Sequence, residues 1–328
     1  MGDPAFQAWR RPDGRIAVRN HLLVLPSVLC AALVAQDVAA AVGGVAIAHQ
    51  HGCSQVGDDG QQTAHAFEGI ACAPNVGAVL VVSLGCETVQ GRALADRIAA
   101  RGQRTEFVGI QDAGGSDGAR TAGATLGQTL RTELETTPRG AASAAELVIG
   151  LEVSRPTPLA AALADRARAA GAAVLVGEAS SEMGELAGDR VAAFADSGRR
   201  DGTPGDRSAA ASDQAAGDRS AAPAHTTILT GAGHGAQQHA ALAADGAHII
   251  VSFPDGAQPP AGFPTCPVVA VRTASRVHDA LADEFDLGPD TTADRIWQRV
   301  LEAAAGAATT AESLGAGPLA LPRLAMTL

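Results

Sequence analysis

Short apolar, β-rich runs alternate with Ala-rich, helix-like runs along almost the whole chain, and this alternation limits the fold more than any other feature. The strand-like runs are His21–Pro26, Val45–Ala48, Val79–Leu84, Thr105–Ile110, Glu146–Leu151, Ala173–Val176, Thr226–Leu229, His248–Phe253 and Val268–Val271. Between them lie helix-like runs at Leu29–Val42, Gly91–Arg101, Pro158–Ala170, Leu186–Ala195, Ala236–Ala244 and Thr292–Ala307. Strands that are apolar on both faces and separated by helices predict parallel sheets covered on each side. The 328 residues suffice for about two such units. The expectation is therefore an α/β protein of parallel sheets flanked by helices, in two Rossmann-like halves. The strand Ala78–Glu87 and the segment Ala145–Glu152 both run from apolar residues into Leu and Glu, which hints at internal repetition.

The halves are expected at 1–143, and at 144–196 with 225–328. The intervening 197–224 carries Gly-Asp-Arg-Ser-Ala-Ala twice, at Gly205–Ala210 and Gly217–Ala222, and no large apolar residue. Such a segment cannot bury enough apolar surface to offset its ordering entropy, so it reads as a flexible linker or loop.

A formal charge of −11 argues against a nucleic-acid partner, because no basic stripe exists to neutralise phosphates. The chain contains no Lys and no Tyr, which removes a Lys base, a Schiff base and a Tyr acid from any mechanism. Five cysteines at irregular spacing do not make a disulfide framework. No leader pattern or membrane-length apolar run is evident, so a cytoplasmic protein with reduced thiols is expected.

Two motifs carry most of the chemistry. Ala48-His49-Gln50-His51-Gly52-Cys53 and Ser83-Leu84-Gly85-Cys86-Glu87 each follow an apolar run. Were those runs neighbouring parallel strands, both motifs would emerge on the ligand-binding carboxyl edge of one sheet. His49, His51, Cys53 and Cys86 would then suit a divalent metal, with sulfur and imidazole favouring iron or zinc. A cysteine in an apolar run is also an ordinary small core residue. Arg10, Arg11, Arg15 and Arg19 crowd the first strand's entrance, where Arg15, Arg19 and Asn20 could hold a carboxylate. A solvated basic turn would explain them equally well. Ser27 opens the following helix as an anion ligand or a simple cap, and Gly114-Gly115 permit a close backbone approach to a ligand. His234, in Thr230–Gly235, is a candidate acid or base. His225, His239 and His278 have no local partner in the sequence.

Several of these segments occur in one order: Arg11-Pro12-Asp13-Gly14-Arg15, Val18-Arg19-Asn20, Leu25-Pro26-Ser27 with Cys30, His51-Gly52-Cys53, Pro74-Asn75-Val76-Gly77, Leu84-Gly85-Cys86-Glu87, and Gln111 with Gly114-Gly115. In that order they resemble the altronate and galactarate dehydratase family, which includes the large subunit of sulfolactate sulfo-lyase. The resemblance implies an Fe2+-dependent lyase that dehydrates a small anionic hydroxy acid, with sulfo-lyase chemistry as second choice. It also implies a small partner subunit or domain, and a homo-oligomer is expected. The chain departs from the family's Gly-Leu-Glu-Cys-Gly-Gly-Ser-Asp at Gly150–Thr157, where Val153 replaces the cysteine. Glu178, Glu182 and Glu185 stand where the family has an acidic pair. With no Lys or Tyr to act, Glu87, Glu152 and His51 are the expected catalytic groups. The alternative is a non-catalytic sugar-acid-binding or scaffold subunit that keeps the fold.

Overall fold

A computed structural model describes residues 3–55, 57–154, 157–177, 197–201, 226–230, 235–315, 317 and 319–321. The first half is a four-stranded parallel sheet of β3 (His21–Pro26), β4 (Val45–Ala46), β5 (Val76–Ser83) and β6 (Thr105–Gly109), in the order β4-β3-β5-β6. Its helices are α1 (Ala32–Val42), α2 (Asp58–Ala71), α3 (Gly91–Ala100) and α4 (Ser116–Glu135). Successive strand side chains point to opposite faces, which splits β3 and β5 between two cores. Leu22, Val24, Leu80 and Val82 pack with α1 and α4, whereas Leu23, Leu25, Val79 and Val81 pack with α2 and α3. Because both faces are covered, these strands read as unbroken apolar runs.

The second half is a six-stranded parallel sheet in the order β10-β11-β9-β8-β12-β13. Its strands are β8 (Val148–Val153), β9 (Ala173–Gly177), β10 (Ser197–Asp201), β11 (Thr226–Thr230), β12 (Ile249–Phe253) and β13 (Val268–Ala270). Helices α5 (Pro158–Ala169) and Ala293–Ala304 cover one face, and α6 (Ala236–Ala244) lies on the other. The alternation of the sequence is thus realised as two parallel sheets flanked by helices. The expected helix Leu186–Ala195 lies outside the described residues. So does 202–224 of the expected linker, whose first five residues form edge strand β10.

The halves join through α2 and α6, whose side chains share one core with residues of both sheets. A Cβ on Gly69 would stand 2.7 Å from the Ala244 Cβ, so this contact needs a glycine. At the opposite end Asn75 ties the sheets together. Its amide donates to His248 O at 2.9 Å, and its Oδ1 accepts Val18 N–H at 3.1 Å.

A third sheet is absent from the sequence reading: an antiparallel ribbon of β1 (Phe6–Arg10), β2 (Ile16–Ala17) and β7 (Arg139–Ala142). Its Phe6, Ala8, Ile16 and Ala142 enter the core of the second half beside Trp297. Among the described residues no helix is long and apolar enough to cross a membrane.

Candidate active site at the carboxyl edges of the sheets

In the first half, the chain after β3 turns to one face of the sheet and the chain after β5 to the other. The crevice between them is the place where such sheets bind ligands. The loop after β4 crosses this crevice. Leu29 N–H bonds to His51 O at 3.1 Å, and Thr88 N–H bonds to Gly52 O at 3.0 Å. The motifs around His49–Cys53 and Cys86–Glu87 therefore do share one edge, but the strands before them are not the neighbours expected from the sequence, because β3 lies between β4 and β5.

Glu87 is the anchor of this edge. Only 2% exposed, it accepts the Ser27 hydroxyl at 2.8 Å and Gly85 N–H at 2.6 Å. Burial pushes its carboxyl up, but the amides of Gly85, Glu87 and Gly91, with Ser27, outweigh burial and hold it below its ordinary value. Ser27 thus serves the carboxylate as a donor. A second brace was not foreseen: Gln55 accepts Gly52 N–H at 2.8 Å and donates to Asp59 at 3.1 Å and Thr63 at 2.9 Å. The Gln-x-x-x-Asp-x-x-x-Thr spacing, one face of a helix start, was its only trace in the sequence.

The expected metal ligands fare differently from one another. His49 is buried and both its nitrogens are spent, Nε2 on Pro26 O at 2.7 Å and Nδ1 on the His51 N–H at 3.1 Å. Burial holds this imidazole down to about 4, so it stays neutral. It stacks on His51 and tilts against Phe67, an arrangement that shapes the loop. His51 is also buried, whereas Cys53 and Cys86 are exposed. Among the described residues no three His, Cys, Asp or Glu groups gather around one point as a metal ion requires. The four-residue set read from the sequence therefore does not fit a single iron ion.

The expected carboxylate clamp lies at the wrong end. Arg15, Arg19 and Asn20 precede β3, whose six residues separate them from Ser27 by about 20 Å. Arg19 grips both Glu312 oxygens, at 2.7 and 2.9 Å, and the carbonyls of Ala303 and Ala307. Arg15 bonds Asp13 and Cys72 O, while Asn20 bonds Arg11 and Leu134 O. These groups brace the amino edge. Arg19→Lys, which loses the fork, is expected to cost about 1–3 kcal/mol in chemical denaturation with ligand affinity unchanged. Weakened ligand binding at unchanged stability would restore the clamp. Gly114 and Gly115 do lie at the carboxyl edge, at the start of α4 beside the 84–87 loop, with open space around them.

The second half carries its own carboxyl group at the matching place. Strands β8 and β12 are the neighbours from which that sheet extends in both directions, and Glu152 pairs in register with Ser252 across them. The Ser252 hydroxyl donates to Glu152 Oε2 at 2.6 Å, and Oε1 has no hydrogen-bond partner among the described residues. His239, on α6, places Nε2 4.0 Å from Oε2. Glu152 and His239 are each 1% exposed. Burial raises the Glu152 carboxyl against the Ser252 and Phe253 donors, and it lowers His239 to about 4. Sequence reasoning gave His239 no role, since its partner lies 87 positions away. Its companion His278 is a packing residue on Thr273, Gln258 and Phe285. His225, His234, Glu178, Glu182 and Glu185 lie outside the described residues.

Comparison with known proteins bears on the first half. Residues 8–135 match the family described as D-galactarate dehydratase/altronate hydrolase, second domain. Altronate dehydratase of Escherichia coli (strain K12) is 36% identical over 107 residues, covering 29% of this chain and 22% of the relative. Altronate dehydratase of Bacillus subtilis (strain 168) is 37% identical over 93 residues, 25% of this chain and 19% of the relative. The (2R)-sulfolactate sulfo-lyase subunit beta of Chromohalobacter salexigens is 34% identical over 110 residues, 33% of this chain and 28% of the relative. The matched part is thus under a third of each relative.

Proposed function

We propose that this chain is a lyase acting on a hydroxylated carboxylic acid of the sugar-acid class, because residues 8–135 match the family of the second domain of D-galactarate dehydratase and altronate hydrolase. The reaction is β-elimination of water. A base takes the proton α to the carboxylate, the C–O bond at the β-carbon breaks, and the departing hydroxide leaves as water. The resulting enol becomes a 2-oxo acid.

The observation that carries this reading is the pair of buried carboxyl groups at the carboxyl edges of the two sheets, pushed in opposite directions by their surroundings. Two carboxyl groups tuned apart are what acid–base work requires. Glu87 is held ionised and fully bonded, so its work is to position the 49–53 and 84–89 loops. Burial raises the Glu152 carboxyl, and its Oε1 has no hydrogen-bond partner among the described residues, so it is the better proton-transfer group, with His239 beside it. One relative is named as a beta subunit, which supports a second chain in the assembly.

The test is release of a 2-oxo acid from a panel of altronate-, galactarate- and sulfolactate-type acids, with thermal shift run in parallel. Turnover of at least one acid is expected. Val153, standing in place of the family's cysteine, favours the rival reading of a binding subunit. Stabilisation by an acid without any turnover would decide for that rival.

A further inference from the structure

We propose that His239 and Glu152 act as a closed pair on one face of the substrate. The His239 imidazole takes the proton from the α-carbon, and the Glu152 carboxyl gives its own to the hydroxyl that leaves the β-carbon. This assignment rests on the lyase reading above and adds to it the second catalytic group, the face it works on and the fate of the proton.

The geometry puts both groups on one side. His239 comes from α6 and Glu152 from the end of β8, and Nε2 stands 4.0 Å from Oε2. Two groups in hydrogen-bond reach of opposite faces of a carbon chain would each lie about 3 Å from it, and so about 6 Å or more from one another. At 4.0 Å no carbon chain fits between them. They must meet a substrate from the same side, where a hydrogen and a hydroxyl on adjacent carbons can be presented together.

Buried polar atoms are nearly always hydrogen-bonded. Here Glu152 Oε1 and both His239 nitrogens have no partner among the described residues, and each residue is 1% exposed. The Gly262 backbone, in the connection after β12, favours the charged imidazole without closing a hydrogen bond on it. A hydroxylated acid would supply the missing partners. Because Ser252 donates to Oε2, that oxygen is the acceptor and Oε1 is the one to carry the proton. Burial raises the Glu152 carboxyl and lowers the imidazole to about 4, so each is pushed toward its uncharged form.

The cycle then closes on itself. The α-carbon gives its proton to His239, and the C–H electron pair becomes the new C=C bond. The bond from the β-carbon to oxygen breaks toward oxygen, which takes the Glu152 proton and leaves as water. Imidazolium, carboxylate and an enol remain. The imidazolium returns its proton to the β-carbon while the enol hydroxyl passes its own to the carboxylate. The product is the 2-oxo acid, and both groups are back in their starting forms. Substrate entry requires the enclosure to part, and its closing keeps bulk water from the travelling proton.

The experiment gives the whole chain the same panel of acids, carrying deuterium on the α-carbon, in ordinary water. Mass spectrometry and NMR of the product should find a substantial part of that deuterium on the β-carbon. His239→Gln should lower turnover about a hundredfold or more while circular dichroism stays native; where that variant does not fold, the deuterium result on the native chain decides. Product carrying only solvent hydrogen on the β-carbon, or undiminished turnover in His239→Gln, would overturn this inference and leave the lyase reading standing. No turnover of any acid by the native chain would overturn both.

Discussion

Gly52→Ala is expected to be the most damaging single-methyl change at the candidate site, costing about 2–5 kcal/mol. The added Cβ would sit 2.1 Å from Ser27 O and 2.9 Å from Val28 Cα, both backbone atoms that no side-chain rotation can clear. Gly52 also has φ +93, a conformation that L side chains rarely adopt. Left-handed backbone costs about 1–2 kcal/mol and overpacking a further 1–3 kcal/mol. The 49–53 loop would have to lift from the end of β3, breaking the bonds to Leu29 and Thr88 on either side. Gly114→Ala provides the comparison: φ is +76 there, but nothing lies within 4 Å of the new Cβ. It should cost only the conformational part. Equal unfolding midpoints for the two variants would show that the loop does not cross the crevice as described.

The fold was legible where burial leaves a periodic trace. Strands β3, β5, β8 and β12 are apolar on both faces, and the resulting unbroken runs stand out against Ala-rich helices. The ribbon left no such trace. Phe6–Arg10 and Arg139–Ala142 mix Trp, Gln, Gly and Arg, and Ile16–Ala17 is two residues long. Helix α2 was missed because it opens on Asp-Asp-Gly-Gln-Gln and carries its large apolar residues only at Phe67 and Ile70.

For the site, the shared edge of the two motifs followed from the parallel sheet rather than from adjacency: β3 separates β4 from β5, yet all parallel strands of one sheet end on the same edge. The same logic, applied to Arg15 and Arg19, would have placed them at the amino edge, because they precede their strand. What the sequence could not carry was ring orientation and long-range pairing. Nothing local says that both His49 nitrogens meet backbone, or that Glu152 meets Ser252 and His239, which lie 100 and 87 positions away. The resemblance of Ala78–Glu87 to Ala145–Glu152 did mark a structural equivalence: β5 and β8 each lie at the point where their sheet extends both ways, and each leads to a buried Glu paired with a Ser.

Glu152→Gln is expected to lower turnover by about two to four orders of magnitude, the usual contribution of a positioned acid or base, and to change the pH dependence of stability. The side chain keeps its shape, and the amide oxygen can still accept the Ser252 hydroxyl. Burial holds the Glu152 carboxyl above its unfolded value, although Ser252 and Phe253 pull the other way. Between the unfolded and folded values the native chain therefore holds a proton that the unfolded chain has lost. Its contribution is complete below the unfolded value and is lost as pH rises through the folded one. The native protein should thus melt lower at pH 8 than at pH 5 relative to the Gln variant, which has no such proton to release. Glu87→Gln should behave oppositely, because the ionised Glu87 stabilises the fold above its unfolded value and that stability is lost as pH falls. Parallel melting curves for Glu152→Gln and the native chain would show that the carboxyl is already ionised. Turnover undiminished in the same variant would move the proton transfer elsewhere, since a glutamine at this buried position can neither give nor take the proton that elimination requires.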